Sequence, residues 1–227
     1  MNLAEKTNLA TNPLAVPEAI LKRRSTRSFN SEPIAPELLN QLLDLTIAAP
    51  SSWNLQSWHL IMVQDEAQKA ALAEAAWGQK QIIQAPVTFV FVGASYIWQD
   101  QERWQEICRL GIENNAWNDE FVGFLNSSMP PFQEALGEKN REYAIKDAMI
   151  AATHLALAAE SLGLASCFMN GWLEDQVKQV IGIADRDDLA IALLLPIGYT
   201  DEQKSSPGRL PKSRRVFVGS LDSPYNG

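Results

Sequence analysis

The sequence predicts a three-layer sandwich, with helices covering both faces of one central sheet. Two observations predict it. Helical and strand-like patterns are mixed along the chain, and several strand segments are apolar at nearly every position. A strand without a polar side has no face to offer water, so it needs cover on both sides. No repeat, low-complexity tract or linker interrupts the 227 residues, which suit a single domain.

The elements follow in order. Residues 1–16 are polar and expected to be flexible, with one domain over 17–227. A short helix spans Glu18 to Arg24, entered through Pro17. Pro36 opens a second as its first helical residue, and Leu38, Leu39, Leu42, Leu43 and Ile47 give it a 3.6-period apolar face. Trp58 to Val63 reads as a strand. Asp65 caps the next helix, with Gln68 three residues on as in a capping box. Val87 to Gly93 reads as a buried strand and Trp98 to Trp117 as a helix. Gly123 to Gly137 carries Pro130-Pro131 and reads as irregular. Arg141 to Leu162 is an alanine-rich helix, with Gly163 as its terminator. Leu164 to Met169 reads as a strand, Glu174 to Ile181 as a helix stopped by Gly182, Leu189 to Pro196 as a buried strand, and Val216 to Val218 as a last short one.

Charge narrows the function classes. The net charge is −8, and a surface of that sign repels nucleic-acid phosphates and anionic lipid, so neither is expected as a partner. Two basic clusters, Lys22 to Arg27 and Arg209 to Arg215, stand against this background and suit a small local anion. Cys108 and Cys167 form no spaced pair and read as reduced, buried thiols. The first residues lack a basic start followed by an apolar run, and the apolar stretches Pro86–Ala94 and Leu189–Gly198 are too short to span a bilayer. A cytoplasmic location is expected.

Several motifs are missing: GxGxxG after the first strand, a GxxxxGK[ST] loop, a GxSxG elbow, and any metal-ligand spacing around His59 and His154. No metal is expected, and chemistry would belong to a bound cofactor. Three segments offer ligand groups. Arg23, Arg24 and Arg27 place three guanidinium groups within five residues, beside Ser25, Thr26 and Ser28, and can fork onto phosphate oxygens. Pro50-Ser51-Ser52-Trp53-Asn54-Leu55-Gln56 gathers neutral hydrogen-bonding groups between a helix and a strand. Lys212 and Arg214 form a cationic pair two residues apart. Each also has an ordinary reading, as a basic turn, a capped turn and a basic surface loop.

Taken together, the motifs resemble the nitroreductase family. They are Arg23-Arg24-Ser25-x-Arg27, then Ala49-Pro50-Ser51-Ser52-x-Asn54-x-Gln56-x-Trp58, the Glu160-to-Ser166 helix exit, Leu195 to Tyr199, and the closing Lys212-Ser213-Arg214. Order and spacing agree over residues 18–215. The resemblance implies an α+β sandwich with a mixed or antiparallel central sheet, an intertwined homodimer and non-covalent FMN. It puts Arg23, Arg24, Ser25 and Arg27 on the FMN, with Arg23 at the phosphate and Arg27 near the ring. Lys212 and Arg214 complete the phosphate clamp. Pro50, Ser51, Ser52 and Asn54 reach the FMN of the other subunit, Asn170 and Gly171 lie beside the flavin, and Gln79 approaches its pyrimidine edge.

The implied reaction is ping-pong: NAD(P)H gives hydride to FMN, and a nitroaromatic, quinone or similar small aromatic acceptor then takes the electrons. Water can supply the protons, so no catalytic side chain is named. Residues 95–140 correspond to the family's variable cover. Trp98, Trp104, Trp117, Phe121, Phe124 and Phe132 there suit a substrate pocket, a core or an interface. The resemblance also leaves room for enoate reduction, dehalogenation or flavin fragmentation on the same fold, or for flavin binding without turnover.

Overall fold

The computed structural model describes residues 13–227. The first twelve residues, most of the segment expected to be flexible, lie outside the described part. Within the remainder of that segment Leu14 is tied down: its N–H donates to the Ser161 carbonyl at 2.9 Å, and its carbonyl accepts from the Ser161 hydroxyl at 2.6 Å.

A four-stranded sheet forms the middle layer. Its strands are β1 (Trp58–Val63), β2 (Val87–Ala94), β3 (Ala165–Ser166) and β4 (Leu189–Gly198), in the order β1-β2-β4-β3, each antiparallel to its neighbour. Every residue of β2 and β4 is buried, as expected for central strands covered on both faces. Side chains alternate across the pleat. Val90, Val92 and Leu194 face one core with Leu72, Ile82 and Val177, from α3 (Glu66–Ala75), α4 (Lys80–Gln84) and α8 (Glu174–Val180). Phe89, Phe91, Leu193 and Leu195 face another, with Leu42 of α2 (Pro36–Ile47) and Leu155 of α7 (Asn140–Ser161). A register shift pairs Val92 with Ile191 rather than Ala192, so the adjacent Ala192 and Leu193 both join the α7 side.

Close approach of α7 to the sheet depends on small residues. Ala148, Ala151, Ala152, Ala156 and Ala159 are fully buried. A Cβ on Gly93 of β2 would come within 2.9 Å of the Ala144 backbone carbon. The helix ends at Gly163, whose φ of 82° is the left-handed conformation that glycine adopts without steric cost. α1 (Val16–Lys22) packs on the outer side of this layer, with a proline in its first turn. Asp65 caps α3 by accepting from Gln68 N–H at 2.9 Å, as its sequence predicts.

Three expectations need correction. Residues 123–137 are not irregular: α5 (Gln101–Glu113) is followed by α6 (Asp119–Leu136), which runs through Pro130 and Pro131. A proline inside a helix costs about 3 kcal/mol. Tertiary packing outweighs it, because Leu125 and Met129 are buried in a third core with Trp104, Ile107 and Leu55. The Trp104 indole N–H also donates to Asn126 Oδ1 at 2.7 Å. The strand expected over 164–169 shrinks to two residues. Cys167 N–H donates to Pro196 at 3.2 Å, but proline has no N–H to return, and pairing resumes only as a bridge between Met169 and Leu194. Among the described residues, 216–218 join no sheet. Phe217 bridges Pro224 while Tyr225 N–H donates to Val216, so the tail folds on itself.

The Gly93 contact gives a direct test. Gly93→Ala should destabilise the protein by about 1–3 kcal/mol through overpacking, read as a lower denaturant midpoint with an unchanged slope.

Candidate functional site

The arginine-rich segment runs extended along the β3 edge of the sheet. Ser25 bridges Ser166 in parallel, and Thr26 N–H donates to the Ser166 carbonyl at 3.1 Å. The chain after β4 clasps it from outside. Thr200 Oγ1 donates to the Ser28 carbonyl at 2.7 Å, Glu202 accepts from Arg27 N–H at 3.2 Å, and Lys204 Nζ donates to the Ser25 carbonyl at 3.0 Å. Lys204 and Glu202 also pair with each other at 3.1 Å. No sequence motif marks these two residues.

An extended segment sends alternate side chains to opposite sides, which divides the predicted arginines. Arg24 and Thr26 line a cleft with Lys22 and Glu160, and Arg24 Nη1 is spent on the Leu21 and Arg23 carbonyls at 2.7 and 2.9 Å. Arg23 instead lies 5.6 Å over the Phe168 ring. Its Nη1 is buried and has no hydrogen-bond partner among the described residues. Burial pushes the Cys167 thiol pKa up and Glu202 adds to the rise, while Arg27, Lys204 and Arg23 pull it down, so three cations and one carboxylate act at this point. In Glu160, burial raises the carboxyl pKa against the opposing charges of Arg23, Arg24 and Lys22.

Gln79 and Gly171 come together. Gln79 Nε2 donates to the Gly171 carbonyl at 2.9 Å, and Gln79 Oε1 accepts from Gln81 at 2.9 Å. Gln79 therefore fixes the glycine loop. The Gly171 N–H has no partner among the described residues. A Cβ at Gly171 would lie 2.9 Å from Trp77, an indole that is 67% exposed on a left-handed residue with φ of 58°. Asn170 beside it is exposed.

The serine-rich loop sits elsewhere. Pro50 is exposed at its start, and Ser52 to Asn54 form one tight helical turn. Trp53, Asn54 and Gln56 all have left-handed φ values, 56°, 54° and 51°. Such a conformation costs a non-glycine residue about 1–2 kcal/mol and tends to mark functional loops. Ser51 Oγ accepts from Gln56 N–H at 2.8 Å, holding the loop closed.

Strand register separates the two halves. Ala94 N–H donates to the Ser57 carbonyl, and Ala94 pairs with Leu189, so the serine loop borders the start of β4. Ser25 bridges Ser166, which pairs with Ile197 near the end of β4. The intervening length of sheet is about 25 Å. Lys212 and Arg214 occupy a single exposed turn, with Lys212 Nζ 5.8 Å from the Tyr225 ring. Among the described residues they make no hydrogen bond or ion pair with residues 23–27. No group of three metal-ligating side chains is present among the described residues, and no helix there is long and apolar enough to cross a membrane.

The clasp on the arginine segment has a defined pH response. The Arg27 N–H, and then Lys204, hold the Glu202 carboxyl below its usual pKa. A depressed carboxylate pKa stabilises the fold above the unfolded value, about 4.3, and the effect is lost as pH falls through the folded value. Exchange of the Arg27 amide should therefore accelerate, relative to its unfolded rate, as pH drops below about 4. Glu202→Gln should show faster exchange already at neutral pH, without that acid-side change.

The sequence and the fold both resemble known proteins. The profile of the Nitroreductase family matches residues 20–199. The chain is 32% identical over 203 residues to the NADH dehydrogenase of Thermus thermophilus, covering 88% of this chain and 93% of that protein. It is 29% identical over 197 residues to the FMN reductase [NAD(P)H] of Bacillus subtilis, covering 86% of this chain and 70% of the relative. The solved structure of ydfN from Bacillus subtilis superposes with a TM-score of 0.80 at 26% identity, covering 89% of this chain and 97% of that one. On the family match, the sequence relatives and the shared fold, the chain belongs to the nitroreductase family.

Proposed function

We propose that this chain is an FMN-dependent oxidoreductase that oxidises NAD(P)H and passes the electrons to a small aromatic acceptor, a nitroaromatic or a quinone, by a ping-pong mechanism in a cytoplasmic homodimer. The observation that carries this reading is the buried Arg23 guanidinium nitrogen without a partner, in a segment where the charges of Arg23, Arg27 and Lys204 converge. A buried unpaired donor costs about 1–3 kcal/mol unless a ligand satisfies it. A phosphate supplies both the acceptor oxygens and the negative charge.

The residues fit FMN. Arg23 and Ser25 would hold the phosphate, with Lys212 and Arg214 completing the clamp. Arg27 on the same side of the extended segment would face the ring and favour its reduced, anionic form electrostatically. The free Gly171 N–H suits a flavin ring atom, and the absence of a Cβ lets the ring approach the backbone. When bound, FMN supplies two-electron chemistry between the nicotinamide and the acceptor. The protein's share is to bind, orient and exclude water.

A second copy completes the site. With the serine loop about 25 Å along the sheet from the arginine segment, Ser51, Ser52 and Asn54 would serve the FMN of the other subunit. Exposed apolar residues favour such a dimer: Val16, Ile20 and Leu21 on α1, Ile47 on α2, and Val218 and Leu221 in the tail. Exposed aromatic rings on α6 favour an aromatic acceptor. Phe121 and Phe124 stack at 6.1 Å, and Phe132 lies 5.6 Å from Trp53 of the serine loop.

Three measurements test the reading. The purified protein should show flavin absorbance that bleaches on anaerobic NADH or NADPH and returns on adding a quinone; a colourless protein that takes up no FMN would sink it. Arg23→Ala should weaken FMN binding about tenfold to a hundredfold, from the loss of a charge-assisted hydrogen bond. Solution mass should be near twice the 25.2 kDa chain mass, and a monomer with tightly bound FMN would refute the shared site.

A further inference from the structure

The serine loop has left-handed backbone at Trp53, Asn54 and Gln56, and Leu55 and Ser57 are its buried residues. Two side chains from different helices hold it. From α7, Asp147 Oδ1 accepts from the Ser52 N–H at 3.2 Å. From α5, Arg103 Nη2 donates to the Gln56 carbonyl at 2.7 Å. Leu55 between these contacts is 3% exposed, in the core formed with α5 and α6.

Asp147 stands out among the remaining groups. It is 5% exposed and has no salt-bridge partner among the described residues. Desolvation raises its carboxyl pKa, and only the Ser52 and Ser57 donors oppose that shift. A carboxylate buried without a counter-charge is unfavourable for stability alone. Its Ser52 donor belongs to the loop that carries the neutral hydrogen-bonding groups of the site.

We propose that Asp147 is a positioning residue: it holds Ser52 through the backbone N–H, opposite Arg103 at Gln56, and this clasp keeps the serine loop in the left-handed form that presents Ser52 and Asn54 to the cofactor. This rests on the FMN reading above. The clasp also ties the cover helices to the cofactor loop, since α5 contributes Arg103 and α6 contributes Phe132 against Trp53.

Hydrogen–deuterium exchange on the flavin-free protein reads the clasp, and titration of FMN fluorescence reads its consequence. Asp147→Ala should raise exchange over residues 51–57 and weaken FMN roughly tenfold or more. Asp147→Asn keeps an oxygen that accepts from Ser52, and should stay within about threefold of the parent, because the role is hydrogen-bond acceptance and not charge. Should Asp147→Ala fail to fold, Arg103→Met carries the test, moving both readouts the same way by a smaller factor. Faster exchange with unchanged FMN affinity overturns the proposal. So does an Asp147→Asn protein as impaired as Asp147→Ala. A parent protein that binds no FMN refutes the site reading itself. That failure is recognised because the exchange data still report whether Asp147 holds the loop.

Discussion

The seat of α7 on the sheet is the contact from which the rest of the molecule is arranged. Its buried alanines present almost no side-chain bulk, and Gly93 removes the one Cβ that would hold helix and strand apart. Dense packing at that spacing leaves little freedom in the helix position. The two ends of α7 then reach opposite ends of the sheet. Asp147 near its start grips the serine loop, while Glu160 and Ser161 at its end border the Arg24 cleft and tie down Leu14. The rise between those positions is about 20 Å, comparable to the separation of the half-sites along the sheet.

Electrostatics work locally against the overall charge. A chain of net charge −8 keeps Arg23, Arg27 and Lys204 close enough for their fields to overlap at Cys167. Glu202 relieves part of their repulsion and anchors the segment through the Arg27 N–H. Arg23 keeps a buried nitrogen in reserve. Repulsion among fixed cations raises the affinity of the site for an anion, and the acidic surroundings discourage extended polyanions.

Backbone strain marks both loops of the site. Trp53, Asn54 and Gln56 lie in one, and Trp77 in the other, all left-handed without being glycine. The first is held by side chains from outside the loop, Asp147 and Arg103, while Gln79, in the same turn as Trp77, ties the second to Gly171. Strain persists where the surroundings over-determine the backbone, and a rigid loop loses less entropy when it meets a ligand.

Much of the architecture was legible in the sequence. The uniformly apolar strands required two covered faces, the period of α2 and the Asp65 cap located helices, and the ordered motifs led to the family. The α6 helix was not legible, because local chemistry at Pro130 and Pro131 opposes a helix that only packing of Leu125 and Met129 sustains. The shortening of β3 was hidden too, since it depends on Cys167 falling opposite Pro196. Among candidate site residues, Arg23 stands in a motif and Gly171 follows from the family resemblance, whereas Lys204, Glu202, Asp147 and Arg103 carry no pattern.

Sequence by itself determined which groups the protein owns: a cluster of guanidinium groups, a serine-rich turn, a glycine beside the third strand, and strands apolar enough to demand burial. Tertiary structure decided their partnerships. It sent Arg23 and Arg24 to opposite sides of one segment, set the serine loop at the far end of the sheet, and brought Asp147 beneath a loop 95 positions away in the chain. Composition and periodicity report on local preference and on burial. Pairings between distant residues depend on strand register and helix seating, which arise only when the whole core packs at once.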